Sequence, residues 1–482
     1  MKLTVAEAAK AVGGKIIFGD ENLTIENISL NSRLMKGRDL FVPVIGERVD
    51  AHNFIEQAFE NGAVCSLTSR HKSREGSEKL LKEGKALICV EDTVTALQTL
   101  GSYYRDNYVK IPYVGVTGSV GKTTTREMVA KALSAGFEVY ATKGNSNSQV
   151  GVPITVTETD GDAGIGVIEL GMSEFGEMTR ISKVAKPDTA VITNIGVSHI
   201  NQLKTRENIM LEKLKITDGM PSGGTLILNG DDEYLRDLDQ DKLHAYGIGV
   251  GKEINIIFYG RGENCRFRAH DTELKDGFPE FSITDTETGE SSRERLSVMG
   301  DHMILNAVAA VCVARIYGIS IKDSFAFLAS FTGVKGRGEI YEASGIKIID
   351  DSYNAAPASM KAGLKVLDDM PTEGRKIAVL ADMLELGENE AQYHRQVGEY
   401  MAERGILPDR LILLGPLSEN IEKGFKEGLS EGGIEKTSTN IKHFSELSEL
   451  SAFLKSYLKP GDTVLFKGSN SMGLSKVVKE FI

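Results

Sequence analysis

The stretch Tyr113-Val-Gly-Val-Thr-Gly118-Ser-Val-Gly121-Lys122-Thr123-Thr124-Thr125 constrains this chain most. An apolar, β-branched run passes through two glycines straight into an amphipathic pattern, Arg126-Glu-Met-Val-Ala-Lys-Ala-Leu-Ser134. The spacing predicts a strand over 113–117, a tight loop and a helix. Such a junction aims consecutive backbone N–H groups and a helix N-terminus at one point. Lys122 adds a point charge there and the Thr123 hydroxyl can complete a magnesium shell. A nucleotide phosphate is the expected ligand, held by Gly118, Ser119, Gly121, Lys122, Thr123 and Thr124. The common pattern has glycine five residues before Gly121, where this chain has Val116. The loop is therefore a variant resting on Gly118 and Gly121.

A chain of 482 residues predicts about two to four domains. With 41% hydrophobic and 26% charged residues it has the composition of a soluble globular protein. The 56 basic residues stand against 68 acidic ones, a formal net charge of -12. That balance offers no general attraction to nucleic acid or to an anionic membrane, so an anionic ligand needs a local basic site. Cys65, Cys89, Cys265 and Cys312 are too widely spaced for a metal knuckle or a disulfide framework, which suits a reducing cytosol. No early stretch resembles a signal peptide and no apolar run approaches the roughly 20 residues of a spanning helix. The expected location is the cytoplasm, with no integral membrane segment.

Taken in order, Thr4-Val-Ala-Glu7 has capping-box spacing and opens a helix that Gly13-Gly14 stops. Asn31-Ser32-Arg33 precedes the apolar run Asp39-Leu-Phe-Val-Pro43. Asp50-Ala-His52 stands before the helical pattern from Phe54, where His52 reads first as a surface histidine. A strand over 86–90 and a helix ending near Tyr108 close a first unit. The second unit alternates strands over 138–142, 165–170, 190–193 and 224–228 with helices, the pattern of a mainly parallel sheet with ligands at its carboxyl edge. Glu169 closes one strand, so it suits either a magnesium ligand or a helix cap. Asn194 and His199 follow another strand end. Lys213 lies in a charged helical segment and reads by itself as a solvated lysine. Residues 250–298 carry short alternating runs and predict a small antiparallel insertion or edge sheet. A helix then follows over 303–317, with Asn306 one turn after His302.

The third unit opens with a helix and the basic loop Val334-Lys-Gly-Arg337. A strand over 346–349 delivers Asp350-Asp351, followed by Ser352-Tyr353-Asn354 and by Pro357 at a helix start. Strands over 376–380, 410–414 and 463–466 again alternate with helices. Lys467-Gly-Ser469 at the last strand end suits either an anionic substrate or a plain turn. The fold class is thus α/β with three domains: a small N-terminal α/β domain (1–108), a central phosphate-loop parallel-sheet domain (109–317) and a C-terminal Rossmann-like domain (318–482).

These residues together resemble the Mur ligase family over essentially the whole chain. Thr117-Gly-Ser-Val-Gly-Lys-Thr-Thr124 has the family's short phosphate loop, which accounts for Val116. Within the family the resemblance is to the branch that adds D-alanyl-D-alanine to a UDP-N-acetylmuramoyl-tripeptide. It is carried by Glu169-Leu-Gly-Met-Ser-x-x-Gly176-Glu177, Asp351-Ser-Tyr-Asn354-Ala-x-Pro357-x-Ser-Met360 and Asp382-Met-Leu-Glu-Leu-Gly387. The chain departs from the family pattern at Asn31, Ser148, Ala356 and Ala381.

The resemblance implies an ATP-dependent ligase with two magnesium ions and an acyl-phosphate intermediate. Thr123 and Glu169 would hold one ion and His199 the other. Lys213 matches the lysine that the family carbamylates. Lys122, Lys213 and His199 form the implied catalytic set. Asn306, from Gly300-Asp-His-x-x-x-Asn306, would contact adenine, with Arg337 and Asp351 closing over the nucleotide. Ser32, Arg33, Asp50, His52, Asn145, Asn147, Tyr353, Asn354, Lys467 and Ser469 are the candidate substrate contacts. The partners implied are the tripeptide nucleotide and D-alanyl-D-alanine, with no nucleic acid and a monomeric chain. Two alternatives stand beside this: a ligase with another acceptor, such as a muramoyl-dipeptide or folylpolyglutamate type, and a regulatory nucleotide-binding module.

Overall fold

The computed structural model describes residues 1–69, 84–159, 161–432 and 439–482. Its organising strand, Tyr113–Thr117, is buried along its whole length and lies between Ile165–Glu169 and Thr189–Ile192, parallel to both. A strand covered on both faces must be apolar throughout, which is why this segment reads as an unbroken run. The sheet has nine strands, running from Val139–Ala141 at one edge to Ser291–Arg295 at the other.

The antiparallel region after residue 250 is a continuation of this sheet. Ile254–Gly260 runs parallel to Gly224–Asn229, so the expectation of antiparallel pairing fails for that strand. It holds for Phe267–Lys275, Phe278–Asp285 and Ser291–Arg295. The two faces of that strand pack on different cores, Ile254, Ile256 and Phe258 on one and Ile257 and Tyr259 on the other, and alternation says nothing about strand direction.

The N-terminal residues build a five-stranded sheet and a two-stranded ladder. Helix Val5–Ala11 starts with half of the expected capping box: the Thr4 hydroxyl accepts from the Glu7 N–H at 3.1 Å, while the Glu7 carboxylate accepts from the Tyr103 hydroxyl at 3.0 Å. The C-terminal six-stranded sheet has Glu339–Ala343 antiparallel at one edge and five parallel strands. Helix Ile321–Ala329 falls after the expected boundary at 317, yet its Ile321, Phe325 and Leu328 lie in the central core with Met128, Val129 and Val311. Helix Thr93–Asn107 likewise shares a core with central residues Val152, Val156, Ile181 and Val184.

Candidate active site

The phosphate loop is held from behind. Asn194 grips Val120 at both ends of its amide: the Val120 N–H donates to Oδ1 at 3.0 Å and Nδ2 donates to the Val120 carbonyl at 2.8 Å. The Ser119 N–H donates to the Asn194 carbonyl, and the Ser119 hydroxyl accepts from the Gly196 N–H at 2.9 Å. Gly118 is required by space, since a Cβ there would stand 1.8 Å from the Thr193 hydroxyl. Gly121 has φ +85° and caps helix Lys122–Leu133, whose first N–H groups have no acceptor within the helix. The result is an anion cradle.

Lys122 Nζ donates to the Gly118 carbonyl at 2.8 Å and to that of Ser119 at 3.3 Å. Burial pulls its ammonium below the ordinary lysine value, opposed by Glu169 and aided by Arg337. Lys213 is not a solvated lysine. It is 1% exposed, with Nζ 3.0 Å from the same Gly118 carbonyl. Burial, and then the charge of Lys122, lower it well below the usual range against the pull of Glu212. The charge of its helix hid this: Glu207 is exposed, but Glu212 is buried with Ile209, Met210, Lys213 and Leu214.

Glu169 is not a helix cap either; helix Glu177–Ala185 starts at Gly176. Its carboxylate is 1% exposed. It accepts from the Thr123 hydroxyl at 3.2 Å, Asn147 Nδ2 at 2.7 Å and Arg126 Nη1 at 3.1 Å. His199 sits in the left-handed region at φ +62° and lines the same cleft. Its Nδ1 is buried without a hydrogen bond: Glu385 Oε2 is 3.1 Å away but outside hydrogen-bonding geometry. Burial, Lys122 and Lys213 depress the ring to about 4, so the imidazole is neutral near pH 7. Among the described residues no group of three or more His, Cys, Asp and Glu is arranged to hold a metal. The donors present are a hydroxyl, a carboxylate and an orphaned neutral imidazole nitrogen, a set that fits magnesium through oxygen and accepts nitrogen as a secondary ligand.

Lys122, Thr123, Glu169 and His199 line a cleft of about 490 Å³ between the central and C-terminal sheets, and Lys213 is buried behind the loop. The central side also contributes Asn145, Asn147, His302 and Asn306, and the C-terminal side Arg337, Asp351, Tyr353, Asn354 and Lys467. Asn306 Oδ1 accepts from the Thr125 hydroxyl at 3.2 Å, and the Arg337 guanidinium lies 4.2 Å from the Tyr353 ring centroid. Lys467, 1% exposed, donates to Asp351 Oδ2 at 2.5 Å and to the Asn354 carbonyl at 3.3 Å. A plain turn at 467–469 is thereby excluded for the lysine, which is a buried cation aimed at the cleft wall. A contiguous second space of about 500 Å³ is lined by Lys122, His199, Glu385 and Ser469. The Ser469 hydroxyl there accepts from the Leu384 N–H at 2.9 Å.

The N-terminal candidates do not line this cleft. Ser32 is buried and donates to Gln57 at 2.6 Å, while Arg33 is exposed. The surface reading of His52 is corrected: it is 7% exposed, with Nδ1 2.7 Å from Asp50 and Nε2 accepting from the Ser69 N–H at 3.1 Å. The partner lies 17 residues on, beyond what local sequence can show. Arg126 and His302 were passed over as site residues. For Arg126 the signal was present, since it shares the i, i+3, i+7 stripe of Val129 and Leu133 and a charge on a core stripe requires a buried partner.

Sequence models of the family match in three consecutive parts: the Mur ligase family catalytic domain over residues 24–105, the Mur ligase middle domain over 116–314 and the Mur ligase glutamate ligase domain over 336–470. The UDP-N-acetylmuramoyl-tripeptide--D-alanyl-D-alanine ligase of Bacillus subtilis is 33% identical across 100% of this chain and 99% of its own length. The chain belongs to the Mur ligase family. The ligase of the same name from Escherichia coli is 30% identical over 99% of this chain and 98% of that protein. Among solved Mur ligase structures, a MurF from Acinetobacter baumannii superposes with a TM-score of 0.84 at 29% identity, covering 100% and 99% of the two chains. A MurF from Thermotoga maritima in complex with ADP gives 0.75 at 28% identity, covering 95% and 97%.

Proposed function

We propose that this Mur ligase joins D-alanyl-D-alanine to the terminal carboxylate of a UDP-N-acetylmuramoyl-tripeptide at the expense of ATP, completing a pentapeptide precursor of peptidoglycan. The observation that carries this reading is full-length likeness at 33% identity to a ligase of that name. The phosphate cradle and the cleft beside it support it. Among the described residues no helix is long and apolar enough to cross a membrane, in keeping with a cytoplasmic enzyme acting on nucleotide-linked substrates. A monomer is the simplest assembly, since one chain supplies both walls of the cleft.

In this reading the tripeptide carboxylate oxygen attacks the γ-phosphorus of ATP and the bond to the β-phosphate oxygen breaks, giving an acyl phosphate and ADP. The dipeptide amine then attacks the carbonyl carbon and loses a proton, and phosphate departs with the C–O bond. The first step brings anionic oxygens together, and Lys122 with the N–H groups of the loop offsets that charge. Asn306, Arg337 and Asp351 seat the nucleotide. Asn145, Asn147, Tyr353 and Asn354 orient the peptide, and Lys467 and Ser469 face the incoming dipeptide. Ser32, Arg33, Asp50 and His52 belong to the unit assigned to the uridine end. There Ser32 and His52 act by shaping the surface, their polar atoms being engaged inside the fold.

Magnesium would supply Lewis-acid charge at the phosphates, one ion held through Thr123 and Glu169 and a second through His199. Lys213 fits carbamylation: a buried, readily neutral amine can react with carbon dioxide, and its product carries oxygens in place of an ammonium. The domain limits 1–108, 109–317 and 318–482 follow the same division of labour. By packing, the working hinge falls after Ala329.

The test is a panel of UDP-muramoyl peptides and amines with ATP, read by product mass. Ligation of D-alanyl-D-alanine to the tripeptide nucleotide is expected, with ATP turnover requiring both. A product only from a dipeptide acceptor, or a polyglutamate ladder, would overturn the proposal.

A further inference from the structure

Arg126 stands one helical turn after Lys122 and is 2% exposed. A guanidinium so placed is costly unless its donors are matched. Nη1 donates to the Gly144 carbonyl at 2.9 Å and to Glu169 Oε2 at 3.1 Å, and Nη2 pairs with Glu127, while Nε is buried without a hydrogen-bond partner. The pair with Glu169 is sealed on both sides, the two side chains being 2% and 1% exposed.

The consequence falls on Glu169. A carboxylate has about four lone-pair directions, and three are taken here, by Thr123 and Asn147 on Oε1 and by Arg126 on Oε2. Its plane is therefore fixed before any cation arrives. The same guanidinium nitrogen also holds Gly144, in the loop that carries Asn145 and Asn147. That loop returns to Glu169 through Asn147. Helix, loop and carboxylate thus close into one network, with Arg126 as the member that touches both the others.

We infer that Arg126 is a positioning residue, setting the orientation of Glu169 toward magnesium and coupling that site to the loop assigned to the muramoyl peptide. The inference rests on the reading of Glu169 as a metal ligand. A lysine could keep the charge, but its single nitrogen could not also hold Glu127, the contact through Nη2 that fixes the guanidinium plane while Nη1 serves Gly144 and Glu169. Cation affinity and peptide affinity should therefore depend on each other, and on the fork.

The test uses the full chain and a readout independent of turnover. Mn2+ binding is followed by electron paramagnetic resonance at saturating ADP, against a protein-free control, for wild type, Glu169→Gln, Arg126→Lys and Arg126→Gln. Binding of UDP-N-acetylmuramoyl-tripeptide is then measured with and without Mn2+. Glu169→Gln should lose the protein-dependent Mn2+ signal. Arg126→Lys, which keeps a cation beside Glu169 and so preserves the fold, should weaken Mn2+ by on the order of 10–100-fold, as loss of a ligand-orienting contact does. Its tripeptide affinity should no longer respond to Mn2+. If Glu169→Gln loses Mn2+ while Arg126→Lys binds it as wild type does, with the response to Mn2+ intact, the inference is overturned and the metal reading stands. If Glu169→Gln binds Mn2+ normally, the metal reading itself falls and takes the inference with it.

Discussion

Between the N-terminal residues and the central sheet the boundary is apolar and closed, whereas between the central and C-terminal sheets it is an open cleft lined by charged and apolar side chains together. At the first, Leu97, Leu100 and Tyr104 share one core with Val152, Val156 and Val184. The fit is close enough that a Cβ on Gly101 would stand 2.9 Å from the Pro153 Cα. At the second, Lys122, Glu169 and Asn306 face Arg337, Asp351 and Lys467 across the cleft, beside apolar lining from Met172, Met299, Met303, Ile349 and Val366. Opening the first would expose buried apolar surface at roughly 25 cal/mol per Å². Opening the second separates groups that water also solvates, so closure over ligands belongs there.

The comparison can be broken most severely at the cleft. Lys122→Ala should lower turnover by on the order of 10²–10³-fold, the usual effect of removing one charge-stabilising donor. Its thermal midpoint should stay near wild type, because the lysine packs no core. Near-normal turnover at saturating ATP and magnesium would remove the phosphate-loop assignment. Lys213→Ala comes next, with activity down by about 10–100-fold and partly restored by added acetate at constant ionic strength. Full activity without the acid would show that the buried lysine has no part in the chemistry.

The closed joint should answer in stability instead. Gly101→Leu forces a side chain against Pro153 and Val184 and should cost about 1–3 kcal/mol, seen as a lower urea midpoint with kcat retained. A larger loss of kcat than of stability would mean that this joint also moves in the reaction.

The smallest effect concerns pH. His394 is buried, accepts from the Met383 N–H at 2.8 Å and is held neutral by burial below the ordinary histidine value. The unfolded chain gains the proton first as pH falls, so the stability of the C-terminal unit should decrease from about pH 6.5 downward, by at most about 1.4 kcal/mol per unit. Hydrogen exchange at pH 7 and 5.5 should show this for 336–482, and His394→Gln should flatten it. An unchanged slope in the variant would assign the pH response to other groups.

Local pattern was enough for much of this molecule. Strand Tyr113–Thr117, its loop and the helix after it were legible because burial on both faces, glycine spacing and helix periodicity are properties of a short segment. The same holds for the parallel alternation and for the cap at Thr4. Where partners are distant in the chain, the sequence was silent or pointed the wrong way. Lys213 read as solvated because its neighbours are charged; burial 95 residues away against Gly118 makes it a perturbed amine. His52 has the same history, its partner in space being Ser69, while Glu169 stood open between magnesium ligand and helix cap until the fold put Thr123, Arg126 and Asn147 around it. The direction of strand Ile254–Gly260 and the allegiance of helix Ile321–Ala329 were likewise settled by pairing and packing. The sequence by itself determined which segments fold as strand or helix and which residue types carry phosphate chemistry, since those depend on near neighbours. The tertiary structure alone decided which charged groups are buried together, because desolvation and pairing depend on distance in space.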